Sequence, residues 1–255
     1  MKYSVCIDDV FAKRSIEESM QQVKEAGLDT IEFWAWWNKD WNEIIALKNK
    51  FGIRILAFCT RFISLVDATK REQYVEGLRE TIEVARRLDC QSLITQVGDE
   101  IPGVPREAQH KSLVDGLKAC LPYLEQAGIS IWIEPINRKV TFPNYYLYSA
   151  EEAFRIVEEV GSPYVKVLYD IYHQQITEGN LLAAMLPNLD KIGHIHAAGV
   201  PGHHELDKSE IDYGYIFDAI MKAGYEGWFG LEYRPLDNPV EGLRRWLNRE
   251  TISGQ

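Results

Sequence analysis

Four side chains able to hold a metal ion each close a short apolar run of this chain. ISIWIEP ends on Glu134, VKVLYDIYH carries Asp170, IGHIHAAG carries His196, and WFGLEYRP carries Glu232. Three carboxylates brought together without a cation would repel one another and raise each other's pKa, so their convergence asks for a bound positive charge. Three oxygen donors and one imidazole suit Mn²⁺, Mg²⁺ or Co²⁺ better than a structural zinc, which prefers thiolate and imidazole. One divalent ion is therefore expected on Glu134, Asp170, His196 and Glu232, with Mn²⁺ the first choice. Any one of these residues could instead cap a helix or pair with a neighbouring Lys or Arg. Four in succession are not accounted for that way.

Convergence needs a scaffold, and the pattern of the chain supplies one. Eight β-branched or aromatic runs stand at Tyr3–Ile7, Thr30–Trp34, Ile53–Phe58, Ser92–Gln96, Ile129–Glu134, Val165–Asp170, Ile192–His196 and Trp228–Glu232. Between and after them lie segments of helical period: Ser15–Ala26, Asp40–Lys50, Lys70–Leu88, Glu107–Ala127, Ala150–Val160, Leu181–Leu189, Tyr215–Ala223 and Val240–Asn248. Leu113, Leu117, Cys120 and Leu124 recur at steps of three and four, which paints one helical face. Gly27, Gly52, Gly128, Gly161 and Gly224 stand where helices need a residue of positive φ after their last turn. Ser149 with Glu152 reads as a capping box. Strands alternating with helices imply right-handed crossovers and a parallel sheet. Eight repeats in 255 residues fit a closed (β/α)8 TIM barrel, α/β in class, as one domain over residues 1–255. An open doubly wound sheet would show a glycine-rich phosphate turn after its first strand, and CIDDVF has none.

In such a barrel the reacting groups come from the C-terminal ends of the strands. Residues two apart in a strand share a face, so His194 and His196 point inward together while Ile195 faces the helices. His196, nearer the rim, is the better ligand, and His194 reads as a hydrogen-bonded core residue. His173, read as already on the loop beyond Asp170, is expected to contact substrate rather than metal. EFWAWWNKDW puts Trp34, Trp36, Trp37 and Trp41 near the rim, with Phe58 and Arg61 after the third strand, and these suggest an aromatic wall. The loop Ala198–Tyr213 is long enough to fold over the site. His203, His204 and Arg234 are its cationic candidates for a substrate carboxylate or hydroxyls.

The net charge of −10 is spread along the chain and disfavours a nucleic-acid partner. No apolar stretch approaches the roughly 20 residues that cross a bilayer. Tyr3 to Ile7 is too short for the apolar core of a signal peptide. Cys6, Cys59, Cys90 and Cys120 form no CxxC pair and read as reduced core thiols of a cytoplasmic protein. A homo-oligomer is left open.

At IEPINRK, EEVGSPYVKVLYDIYHQQITEGNL, GHIHAAGVPGHHELD and GYEGWFGLEYRP the sequence resembles the xylose-isomerase-like barrels, and within them the hydroxypyruvate isomerases. Together these stretches cover most of the chain from Gly128 to Pro235, and the N-terminal half matches only in outline. The resemblance implies metal coordination by Glu134, Asp170, His196 and Glu232, and proton exchange with substrate by Glu134 and Glu232. Two positions depart from it. His196 stands where hydroxypyruvate isomerases have glutamine and the related ketose 3-epimerases have histidine. His203 stands where the isomerase pattern VPGRHE has an arginine, suited to a substrate carboxylate.

A metal held by adjacent carbonyl and hydroxyl oxygens makes the neighbouring C–H more acidic by stabilising an enediolate. Returning the proton to the next carbon is isomerisation, and returning it to the opposite face of the same carbon is epimerisation. The expected activity is a metal-dependent isomerase of a small α-hydroxycarbonyl compound, of hydroxypyruvate type or a short sugar or sugar acid. A ketose 3-epimerase and a metal-dependent lyase of oxidised sugars are the alternatives. A DNA-repair endonuclease of similar architecture would need further metal ligands and a basic groove.

Overall fold

The computed structural model describes residues 1–253; Gly254 and Gln255, included in the expected domain span, lie outside the described residues. Eight strands close into a barrel: β1 (Tyr3–Cys6), β2 (Thr30–Phe33), β3 (Arg54–Cys59), β4 (Ser92–Thr95), β5 (Ser130–Ile133), β6 (Val165–Asp170), β7 (Ile192–Ala197) and β8 (Phe229–Leu231). All neighbours are parallel, and β8 pairs back onto β1. The helices are α1 (Ile7–Val10), α2 (Ile16–Glu25), α3 (Trp41–Phe51), α4 (Arg71–Leu88), α5 (Arg106–Ala127) and α6 (Ala150–Val160), then α7 (Ile171–Thr177), α8 (Leu181–Met185), α9 (Tyr213–Lys222) and α10 (Pro239–Ser253). This is the expected closed eight-stranded barrel.

Strand parity separates two packed layers. Val5, Ile31, Phe33, Ile131, Ile133, Val167 and Ile195 are buried in the large core shared with the helices. Ala57, Cys59, Ile94, Trp132 and Leu168 form a second cluster inside the ring. The Trp132 ring is stacked on His194 at 5.0 Å. Gly193 makes room for it, because a Cβ there would stand 2.3 Å from the indole nitrogen. The inner layer thereby closes the barrel below its upper rim.

Helix ends follow the turn chemistry of the chain. Gly52, Gly128 and Gly161 take φ of 61°, 66° and 71° after α3, α5 and α6. Ser149 accepts from the Glu152 N–H, but the returning half of the expected capping box is missing. The Glu152 carboxylate goes instead to Arg106, 2.6 Å away, and to the Tyr146 hydroxyl. A reciprocal box does form between Ser15 and Glu18.

Three expectations need correction. The helix read as Leu181–Leu189 stops at Met185, and a 3-10 turn with Pro187 in its first turn takes over at Leu186. Glu134 and Glu232 lie one residue past their strands, although each N–H still bonds the neighbouring strand, to Thr95 O at 3.4 Å and Ala197 O at 3.3 Å. The chain also leaves β6 directly into a helix, so His173 sits in the first turn of α7 rather than on a loop.

Candidate metal centre

Register brings the four donors together. Asp170 pairs with His196 across β6 and β7, and His196 pairs with Gly230, two residues before Glu232. One donor atom from each of Glu134, Asp170, His196 and Glu232 lies within 4.8 Å of the others. All four residues are buried.

Asp170 divides its oxygens. Oδ1 caps α7 by accepting the His173 N–H at 3.0 Å, so the ordinary capping role is real. Oδ2 is buried with no hydrogen-bond partner, which costs about 1–3 kcal/mol or more for a charged group. Glu232 accepts from the Trp34 indole N–H at 2.7 Å, and its other oxygen lies 3.1 Å from His196 Nδ1. Burial alone would raise Glu232, but the charge and hydrogen bond of His196 outweigh that and hold it well below the usual carboxylate range. Glu134 forms no side-chain hydrogen bond among the described residues, and burial, followed by the charge of Glu232, pushes it well up. Two adjacent buried carboxylates, only one of which ionises readily, leave a deficit of positive charge. The orphaned Asp170 oxygen and the hard donor set both fit a divalent cation.

Above these donors opens a cavity of about 420 Å³. Trp34, Cys59, Phe62, Ile94 and Gln96 form one wall, and Ile136, Val140, Thr141 and Phe142 form another. Tyr172, His173, Gly202, His203 and Arg234 line the rest of the rim with Asp9. Asn137 turns its amide N–H onto His173 Nδ1 at 2.7 Å. Burial lowers the His173 pKa, so the ring is neutral and carries its proton on Nε2, 4.0 Å from Asp170 Oδ2. His203, in a left-handed conformation at φ 63°, lies 3.1 Å from Asp9 Oδ2, and Arg234 Nε lies 3.3 Å from Asp9 Oδ1. Burial opposes a charge on His203, but the close approach of Asp9 and the other nearby carboxylates raise its pKa.

Several expected residues lie elsewhere. Phe58 is fully buried and stacks on Phe33 at 5.1 Å in the core shared with the helices. Strand β3 runs one residue further than expected, so Cys59, not Phe58, faces the cavity. Of the tryptophans in EFWAWWNKDW only Trp34 lines the cavity. Trp36 is buried under the Arg61 guanidinium at 4.8 Å, and Trp37 meets Phe62 edge-on at 5.0 Å. Arg61 itself pairs with Glu80, and His204 Nδ1 turns to the Arg234 carbonyl oxygen.

Asp9, Asn137 and Glu32 were not anticipated from the sequence. Glu32 had a signal, being a carboxylate inside the wholly buried strand TIEF. It accepts from His194 Nε2 at 3.0 Å, from His196 Nε2 at 2.9 Å and from the Ser4 hydroxyl. His194 is thus the hydrogen-bonded core residue that parity implied.

A xylose isomerase-like TIM barrel model matches residues 20–250. Hydroxypyruvate isomerase from Escherichia coli (strain K12) is 35% identical over 179 residues, covering 70% of this chain and 69% of that protein. Among solved structures, a family 2 AP endonuclease from Brucella melitensis superposes with a TM-score of 0.92 at 24% identity, covering 97% of this chain and 98% of the other. A D-psicose 3-epimerase with D-tagatose from Clostridium cellulolyticum H10 gives a TM-score of 0.81 at 18% identity, covering 99% of both chains. At these identities the two structures share a fold with this chain. The family match and the 35% relative together settle the assignment: the chain belongs to the xylose isomerase-like TIM barrel family.

Proposed function

We propose that this protein is a metal-dependent isomerase of a small α-hydroxycarbonyl compound, of hydroxypyruvate type or a short sugar or sugar acid. The observation that carries the reading is the set Glu134, Asp170, His196 and Glu232, with donor atoms within 4.8 Å of one another below a cavity of about 420 Å³. The 35% identity to a hydroxypyruvate isomerase supports the substrate class. We read residues 1–255 as one cytoplasmic catalytic domain holding one divalent ion, Mn²⁺ first, with Mg²⁺ or Co²⁺ as alternatives.

When bound, the ion would act as a Lewis acid toward neighbouring substrate oxygens and make the C–H between them more acidic. Proton transfer falls to Glu134 and Glu232. They follow β5 and β8, three strands apart in the closed ring, and so approach a small substrate from different sides. Trp34 holds Glu232 through one oxygen, while the Glu134 carboxylate has no side-chain donor to compete with a substrate proton. His173, with Asn137 on its Nδ1, offers an Nε2–H to a substrate oxygen. His203 and Arg234, both anchored on Asp9, meet the far end of the substrate.

Proton return to the adjacent carbon gives isomerisation. A second reading, ketose 3-epimerase, is favoured by His196, since the resemblance puts a histidine at that position in those enzymes. The test is incubation with Mn²⁺ in D₂O against hydroxypyruvate, short sugar acids and ketoses, followed by NMR. The expected result is deuterium at the carbon next to the carbonyl of a hydroxypyruvate-type substrate, with conversion to the isomer. Exchange with inversion at C3 of a ketose would establish the epimerase, and loss of water would establish a lyase. Absence of exchange with every substrate and metal would end the enzyme reading.

A further inference from the structure

We infer that Glu32, on the far side of His196 from the cavity, is a positioning residue that presents Nδ1 of His196 to the metal-ligand set. The inference rests on the metal reading above. A neutral imidazole has one N–H and one lone pair, and a histidine ligand is useful only when its second nitrogen fixes which is which. His196 Nε2 lies 2.9 Å from Glu32 Oε2, so a carboxylate claims the N–H at that end. Its Nδ1 lies 3.1 Å from Glu232 Oε2, inside the donor set, where a proton bridges the two or, with an ion bound, a lone pair would face that ion. Two lone pairs facing each other at that distance repel unless a proton or a cation lies between them.

Glu32 is itself held from three directions. The Ser4 hydroxyl and His194 Nε2–H both donate to Oε1, and His196 Nε2–H donates to Oε2. His194 Nδ1 is buried without a partner, which puts the single proton of that ring on the nitrogen facing Glu32. Gly230 completes the arrangement. A Cβ there would stand 2.5 Å from His196 Cδ2 and 2.7 Å from both Glu32 Oε1 and His194 Nε2. None of Ser4, Glu32, His194 or Gly230 lines the cavity, so the group acts on chemistry only through His196. Glu32, His194 and His196 are close enough to hold an ion of their own. The two oxygens of Glu32 are already matched to N–H and O–H donors, which argues for a hydrogen-bonded support instead.

The test is Mn²⁺ titration of the wild-type protein and Glu32→Gln by calorimetry, with pulsed EPR of the Mn²⁺-loaded forms. Glutamine has the same shape, but its NH₂ faces an imidazole N–H and forces one ring into the other tautomer. The expected result is one Mn²⁺ per wild-type chain, affinity lower by about 10–100-fold in Glu32→Gln, and a weakened ¹⁴N coupling from the ligated imidazole. A general loosening of the fold would not remove that coupling selectively. If Glu32→Gln does not fold, Ser4→Ala removes one donor to Glu32 and should weaken Mn²⁺ binding several-fold. Unchanged affinity and coupling in the variant that folds overturns the role of Glu32 alone. Two Mn²⁺ in the wild type falling to one in Glu32→Gln also overturns it, since Glu32 would then be a ligand. No divalent binding by the wild type removes the metal centre and this role with it.

Discussion

The arc of barrel from β5 to β8 and the arc from β1 to β4 face the same cavity with different chemistry. The first contributes Glu134, Asp170, His196 and Glu232, every donor of the candidate metal centre. The second contributes Trp34, Cys59, Ile94 and Gln96 to the wall, and Glu32 behind His196, away from the cavity. Cys59 is no exception to its arc, because burial and then the charge of Glu134 push its thiol well up and keep it protonated. One arc supplies the charged groups, the proposed proton-transfer pair among them, while the other supplies shape and the hydrogen bonds that aim those groups. Trp34 on Glu232 and Glu32 on His196 are contacts by which the second arc reaches the donor set, and Asp9 reaches His203 and Arg234 in the same way.

The division breaks first at the proton-transfer pair. Glu134→Gln and Glu232→Gln keep shape and a ligating oxygen but lose the base, so each should bind Mn²⁺ measurably and lose turnover by about 10²-fold or more. Near wild-type turnover in either would make that residue a ligand only. Next comes the aiming contact: Trp34→Phe removes a hydrogen bond to a charged group, worth about 1.5–3 kcal/mol. Its kcat/KM should fall about tenfold or more with Mn²⁺ affinity nearly unchanged, and an unaltered kcat/KM would show the second arc to be passive. A smaller effect is expected from His173→Ala, a rise in KM of several-fold with the metal retained. Loss of Mn²⁺ there would put His173 inside the ligand set. Smallest in catalysis is Phe58→Leu, expected to cost about 1 kcal/mol of stability in urea unfolding and to leave KM alone. A raised KM would return Phe58 to the substrate wall.

The two arcs were also unequally legible. Glu134, Asp170 and Glu232 stand out in the chain because a carboxylate ending an apolar run is costly unless something uses it, and β5 to β8 are neighbours in sequence and space alike. Glu32 carries the same cost, but the histidines that account for it lie 162 and 164 residues further on. Nothing local to TIEF announces them. Phe58 shows how narrow the margin is in a strand: ending β3 one residue early exchanged the inward face for the outward one. The β2–β3 pairing shifts register between Ile31 and Glu32, which no period-two pattern reveals. Helix α7 went unseen because Asp170 was weighed as a ligand or a cap, whereas its two oxygens allow both.

That split in Asp170 has a consequence for the order of assembly. The oxygen that caps α7 is not the one left facing the donor set, so the helix and the His173 it carries are fixed whether or not an ion has arrived. On the proposed metal reading, maturation would be two separate events, completion of the chain fold followed by capture of the ion. Exchange of one divalent ion for another would then involve only side chains at the mouth of a finished barrel. The metal found on the protein would accordingly follow the supply in its surroundings at the time of loading, and not a choice made during folding.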